Sequence, residues 1–228
     1  GLLASNEGRL KNAAERIQTE TGGRVAYHAV DLRTLRGGED AHRSIVGALG
    51  GCGILVNSAG ATKGGVWPEQ PDEEWEDGFA LKFYSAVRLA RLFWPTLAAA
   101  HGTVINIVGG FARTPAADFM VGGVVNAALS NFSKALAAQG LRDDVNVNWV
   151  HPGLTVTERL DQIFEGRAKQ QGKTRDQVEK ETIAHEGIRR LGQPEDVASL
   201  VAFLCSDEGR HIQGTAVQID GGGTPGYY

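Results

Sequence analysis

The chain is poor in the residues that staple, anchor or recharge a protein. It holds two cysteines, Cys52 and Cys205, far apart in sequence and beside apolar segments. That pair builds no disulfide framework, and buried thiols in a reducing compartment are the simpler reading. No run approaches the roughly 20 apolar residues of a membrane span, and no signal peptide opens the chain. An excess of basic charge is missing as well: a net charge of −4 and a pI near 5.9 argue against a nucleic-acid footprint. These absences describe a soluble, cytoplasmic protein with no membrane or nucleic-acid partner. What is present, 42% hydrophobic and 22% charged residues over 228 positions, suits one domain with a sizeable core. No internal repeat or linker interrupts it.

Short β-branched runs alternate with helical patterns, which predicts a parallel sheet covered by helices on both faces. The runs place strands at Leu2–Ser5, Arg24–Val30, Gly53–Asn57, Thr103–Val108, Val145–Val150 and Ala216–Asp220. Trp75, Phe79, Phe83, Val87, Ala90 and Trp94 recur at helical spacing, with Glu74, Asp77, Arg88 and Arg91 between them. Ala127, Ala128, Phe132, Ala135 and Leu136 repeat the pattern. Pro194 opens a later helix with acids beside the positive end of its dipole. A polar stretch from Thr157 to Arg190 carries charges of both signs, broken at Gly172-Lys173-Thr174. Its place directly after a strand end, where such sheets bind ligands, predicts a substrate lid over 157–190 rather than a merely solvated excursion.

Several local motifs fix the class further. The chain reads Asn57-Ser58-Ala59-Gly60, then Ile105-Asn106-Ile107-Val108-Gly109-Gly110, then Val121-Gly122-Gly123 leading to Asn126. His151-Pro152-Gly153 follows, and the last quarter holds Leu191-Gly192-Gln193-Pro194-Glu195-Asp196-Val197-Ala198 and Val217-Gln218-Ile219-Asp220-Gly221-Gly222. Together these resemble the short-chain dehydrogenase/reductase family over essentially the whole chain. The resemblance implies an α/β fold, a doubly wound (Rossmann-type) parallel sheet, in a single domain over residues 1–228. It also implies a dinucleotide, NAD or NADP, a small-molecule carbonyl or secondary alcohol as substrate, and a homodimer or homotetramer. The helices starting near Asp72 and Val121 would form that interface, and small Gly123, Ala127 and Ala128 permit close helix approach.

The cofactor half departs from the family. Such folds open with a strand, a Gly-rich turn and a helix whose amides hold the pyrophosphate. This sequence begins at what looks like the second strand. A unit of about 30 residues is expected ahead of Leu2, making Gly1 a ragged start. Without that unit the sheet would keep two interior edges and an open groove. At the end of the second strand an acid selects NAD and a nearby Arg selects NADP. Ala4 and Ser5 stand there, so neither preference is encoded. By resemblance, Ser5, Asp31 and Leu32 face the adenosine, although an Asp after a strand is as often a helix cap. Asn57, Ala59 and Gly60 let the backbone approach the cofactor. Thr155 and Thr157, after Pro152-Gly153 in the same cofactor-binding segment, resemble the Thr positions that touch the nicotinamide amide and phosphates.

The reaction centre keeps the family's spacing without its side chains. The family uses Ser, Tyr and Lys, with an Asn on the preceding helix. The corresponding positions here are Gly109, Gly122, Asn126 and Lys82. A phenol brought near neutral acidity, within reach of the substrate oxygen, is what the chemistry needs. Glycine has no proton to give. Two readings follow. One is a binding or scaffolding relic that no longer turns over. The other is a rebuilt centre in which Lys82 supplies the charge or the proton, against the simpler reading of Lys82 as a snorkelling helix residue. Tyr84, His151 and Asp118 are further proton-transfer candidates. Gly122 and Gly123 leave room where the Tyr ring sits in the family, so Phe111, Phe119 and Met120 are expected to line a cavity for a bulkier ligand.

Overall fold

A computed structural model describes residues 1–225. Its strands are β1 (Leu2–Ala4), β2 (Tyr27–Ala29), β3 (Ile54–Asn57), β4 (Thr103–Ile107), β5 (Asn146–Pro152) and β6 (Ala216–Ile219). All pairings are parallel, which requires a crossover between strands. Helices supply them: α1 (Glu7–Thr21), α2 (Leu35–Leu49), α3 (Asp72–Gly78), α4 (Ser85–Ala99), α5 (Met120–Asp143), α6 (Glu158–Gln171), α7 (Arg175–Glu186) and α8 (Pro194–Leu204). The expected strand over 24–30 shrinks to three residues. Two backbone bonds prolong its pairing beyond both ends, Leu2 N to Ala26 O and Val30 N to Ala4 O.

Helices cover both faces. On β4, Val104 packs with Leu89, Phe93 and Leu97 of α4 and with Ala41 and Ile45 of α2. The next residue, Ile105, turns to the opposite face and packs with Leu204 and Leu200 of α8. That alternation is the period-2 geometry of a strand buried on both sides. The fold is the doubly wound α/β sheet that the sequence implies.

The sheet is nevertheless split. Among the described residues β1 pairs only with β2, while β3, β4, β5 and β6 run in that order as a separate four-stranded sheet. β3 buries Leu55 and Asn57 but leaves Ile54 53% and Val56 42% exposed. One edge of β3 therefore lacks a neighbour and one face lacks a cover.

The polar stretch after β5 folds into α6 and α7, with its own small core of Leu160, Phe164, Ala168, Val178, Ile188 and Leu191. The break falls where the sequence puts it: Gly172 ends α6 in the left-handed region, and Thr174 with Gln177 forms a capping box for α7.

Candidate functional site

Lys82 owes its position to a local widening of the helix. Between α3 and α4, Phe79–Tyr84 wind as a π-helix, a departure from α geometry often found at functional sites. The Lys82 ammonium donates to the Val108 carbonyl at the end of β4. Gly60 makes the approach possible, because a Cβ there would stand 2.9 Å from Lys82 Cδ. Burial, helped by the nearby charge of Arg159, lowers the Lys82 pKa to about 8. Lys82 is therefore not a solvated snorkelling residue.

Two more side chains converge on the same strand end. Gly109 has φ +125°, a conformation that disfavours any other residue. Its carbonyl lies 2.8 Å from His151 Nδ1. A carbonyl only accepts, so Nδ1 carries the hydrogen. Burial holds the His151 pKa below its ordinary value. The bond to Gly109 opposes that shift, while Arg113 and Lys82 add to it. Asn126, 4% exposed, packs its carboxamide nitrogen 3.0 Å from the place a Gly109 Cβ would take. Its Oδ1 is buried with no hydrogen-bond partner among the described residues. The structure thus gathers Lys82, Gly109, Asn126 and His151 around the Val108–Gly109 peptide.

Gly122 overturns one expectation. The space beside it is not a cavity: a Cβ built there would stand 1.9 Å from Phe119 Cε1. The Phe119 ring fills that space and packs on Phe111, with centroids 4.9 Å apart. Tyr84 points away from the centre, 48% exposed, with the Arg88 guanidinium over its ring. Asp118 is exposed, and its carbonyl accepts from Gly65 N at 3.0 Å.

The expected cofactor residues divide into structural and exposed groups. Leu32 buries its side chain in the main core. Asn57 is buried too and donates to Asn106 at 2.8 Å, which in turn donates to Ser133; this chain ties β3 to β4 and α5. Asp31 accepts from Arg33 N at 3.0 Å and pairs with the Arg33 side chain. Thr157 caps α6, and Thr155 Oγ1 donates to Gly153 O. Ser5 and Gly60 are exposed, while Ala59, Pro152 and Gly153 are half-buried.

A cleft of roughly 980 Å³ opens beside these strand ends, lined by Arg9, Arg33, Ala61, Thr62, Thr157 and Arg159 among others. Sequence reasoning missed the arginines. Arg9 pairs with Glu158 at 2.8 Å, and Arg33 with Asp77 at 2.5 Å. Arg159, in the first turn of α6, donates to Thr62 O at 2.6 Å. The one available signal was its position two residues after Thr157.

A family model described as enoyl-(acyl carrier protein) reductase matches residues 2–224. The chain belongs to the short-chain dehydrogenase/reductase family of oxidoreductases. It is 30% identical to an uncharacterized oxidoreductase, YvrD, of Bacillus subtilis, over 97% of this chain and 87% of that protein. The 3-oxoacyl-[acyl-carrier-protein] reductase FabG of Vibrio cholerae is 29% identical over 79% of this chain and 70% of its own length. Among solved structures, L-sorbose reductase of Gluconobacter frateurii, complexed with NADPH and L-sorbose, superposes with a TM-score of 0.95 at 31% identity. That match covers 99% of this chain and 87% of the reductase. The split sheet and the departures at Gly109, Gly122 and Asn126 therefore sit on a fold otherwise shared with NADPH-binding relatives.

Proposed function

We propose that the protein is an NAD(P)-dependent oxidoreductase of a carbonyl or secondary alcohol, with a rebuilt centre in which Lys82 handles the proton. The observation that carries this reading is a buried ammonium with pKa near 8 at the end of β4. A general acid works best when its pKa lies near the operating pH. In reduction, the Lys82 ammonium gives a proton to the substrate oxygen and recovers it from solvent. Asn126 Oδ1 offers an acceptor for the hydroxyl so formed.

The cleft fits a dinucleotide on its own geometry. Arg9 and Arg33 stand on the β1–β2 side, where they would hold phosphate or adenosine. Ala61 and Thr157 stand nearer Lys82. When bound, a dinucleotide supplies the hydride. A strand, Gly-rich turn and helix ahead of Leu2 would complete this half. The unpaired strand edges and the uncovered Ile54 and Val56 support a unit of that kind.

Three further parts of the reading follow. The α6–α7 hairpin serves as the substrate lid, since Thr157 and Arg159 of its first turn line the cleft. Exposed Tyr84 at the end of the π-helix and Val124 on α5 favour a homo-oligomer, which light scattering of Val124→Arg against the parent would test. Two unpaired cysteines suit a cytoplasmic setting.

The alternative, a binding protein without turnover, draws support from Phe119, whose ring stands in the space beside Gly122. Titration with NADH and NADPH, followed by turnover on a carbonyl panel, separates the two. Absence of binding to either dinucleotide sinks the oxidoreductase reading. Tight binding with no turnover on any carbonyl selects the alternative.

A further inference from the structure

Two cations at the cleft and beside it, Arg159 and Lys82, have no carboxylate partner among the described residues. Around the rim, the cations are matched: Arg9 with Glu158 at 2.8 Å, Arg33 with Asp77 at 2.5 Å and Lys63 with Glu74 at 3.2 Å. Two cations lack such a match. Lys82 donates to a carbonyl, and no ion pair within 4 Å joins it to a carboxylate among the described residues. Arg159 likewise donates to the Thr62 carbonyl and has no carboxylate partner among the described residues. The acid that acts on His151, Asp220, is already accepting from Gly222 N at 3.0 Å and Thr224 N at 2.9 Å. The remaining acid at the cleft, Glu73, lies in the first turn of α3 on the rim.

Lys82 and Arg159 also reach the same short loop. Lys82 packs under Gly60, and Arg159 bonds Thr62. The charge of Arg159 is felt at Lys82. A buried ammonium without a counter-ion is costly, and an arriving anion relieves that cost. The uncommitted Asn126 Oδ1, buried beside Gly109, is a second sign that this end of the site is completed by a ligand.

We infer that the substrate is an oxo acid: a molecule whose reducible carbonyl faces Lys82 and whose carboxylate, one or two carbons away, is received by Arg159. The inference rests on the oxidoreductase reading for the fate of the carbonyl, though not for the binding of the carboxylate. Hydride adds to the carbonyl carbon, and the C=O π pair takes a proton from the Lys82 ammonium. The product is a 2- or 3-hydroxy acid with its carboxylate intact. A guanidinium suits this role because its planar fork matches a carboxylate in two bonds.

The test compares 2-oxo and 3-oxo acids of four to six carbons with their methyl esters, on the full-length protein, by calorimetry with and without bound dinucleotide and by turnover. Acids should bind about 10–100-fold tighter than esters, the range expected for a hydrogen-bonded charge. Arg159→Gln should erase that preference, and Arg159→Lys should restore part of it. Arg159 is exposed, so neither variant threatens the fold. Equal binding of acids and esters, or no binding of either, overturns the inference. So does an Arg159→Gln variant that weakens dinucleotide binding and keeps the acid preference, because Arg159 would then serve the cofactor's phosphates. Failure of dinucleotide binding would end the oxidoreductase reading, while acid binding to the dinucleotide-free protein would still report on Arg159.

Discussion

Phe119 and Gly122 are reciprocal: the ring of one fills the space that the missing side chain of the other leaves, and a Cβ at Gly122 would stand 1.9 Å from Phe119 Cε1. The glycine at this family position is therefore held by packing. Gly122→Ala should destabilise the protein by about 1–3 kcal/mol, the usual cost of overpacking a filled core. Phe119→Ala should relieve part of that loss. A double-mutant cycle in denaturant measures the coupling, and simple additivity of the two changes would show that the ring moves aside freely.

Lys82 should set the pH dependence of turnover. Reduction needs the ammonium, so its rate should fall as pH rises through about 8. Oxidation needs the neutral amine and should rise through the same range. Lys82→Met should lower kcat by about 10²–10⁴, the usual contribution of a general acid or base. Rate profiles in both directions check this, and profiles without an inflection near pH 8 would remove Lys82 from the proton step.

How far the sequence foretold this centre differs from one residue to the next. Local spacing assigns Gly109, Asn126 and Lys82 to the end of β4, to α5 and to the helix before β4, and the structure brings the three together there. The π-turn that aims Lys82 is invisible in a helical period, since Phe79 and Phe83 satisfy either winding. Phe119 was read as lining a cavity. Its ring reaches Gly122 from the short 3₁₀ turn Ala117–Phe119, and a loop rotamer leaves no trace in sequence pattern. The Leu32 and Asn57 side chains are buried, so a dinucleotide would meet these two positions through their backbone. Strand ends point one residue towards a ligand and the next into the core, and a one-residue difference decides which.

His151 should make the protein acid-sensitive. Burial holds its folded pKa below the ordinary 6.5, so the unfolded chain takes up the proton first as pH falls. The stability it contributes is fully present above about pH 6.5 and is lost as pH drops through the lower, folded value. His151→Gln keeps a donor for the Gly109 carbonyl and cannot be protonated. Its unfolding free energy should therefore fall less steeply between neutral pH and pH 5. Parallel slopes in urea titrations of the two proteins would show that another group governs acid unfolding.

Lys82 should also cost stability at neutral pH, which separates a functional lysine from a structural one. Its folded pKa, about 8, lies below the ordinary 10.5, so between those values the unfolded chain binds the extra proton. Stability therefore rises with pH across that window, and the penalty of burying the charge is fully present below it. Lys82→Met keeps the length and apolar character of the chain and removes the charge. At pH 7 it should be more stable than the parent by about 1–3 kcal/mol, the upper end set by the shift and the lower by the lost bond to Val108 O. The advantage should shrink towards pH 10.5. A residue that weakens the fold yet carries turnover fits an active site, where stability is commonly sacrificed for function. If Lys82→Met were instead less stable at pH 7, the lysine would be holding β4 to the π-turn, and its proposed role in proton transfer would lose its main physical support.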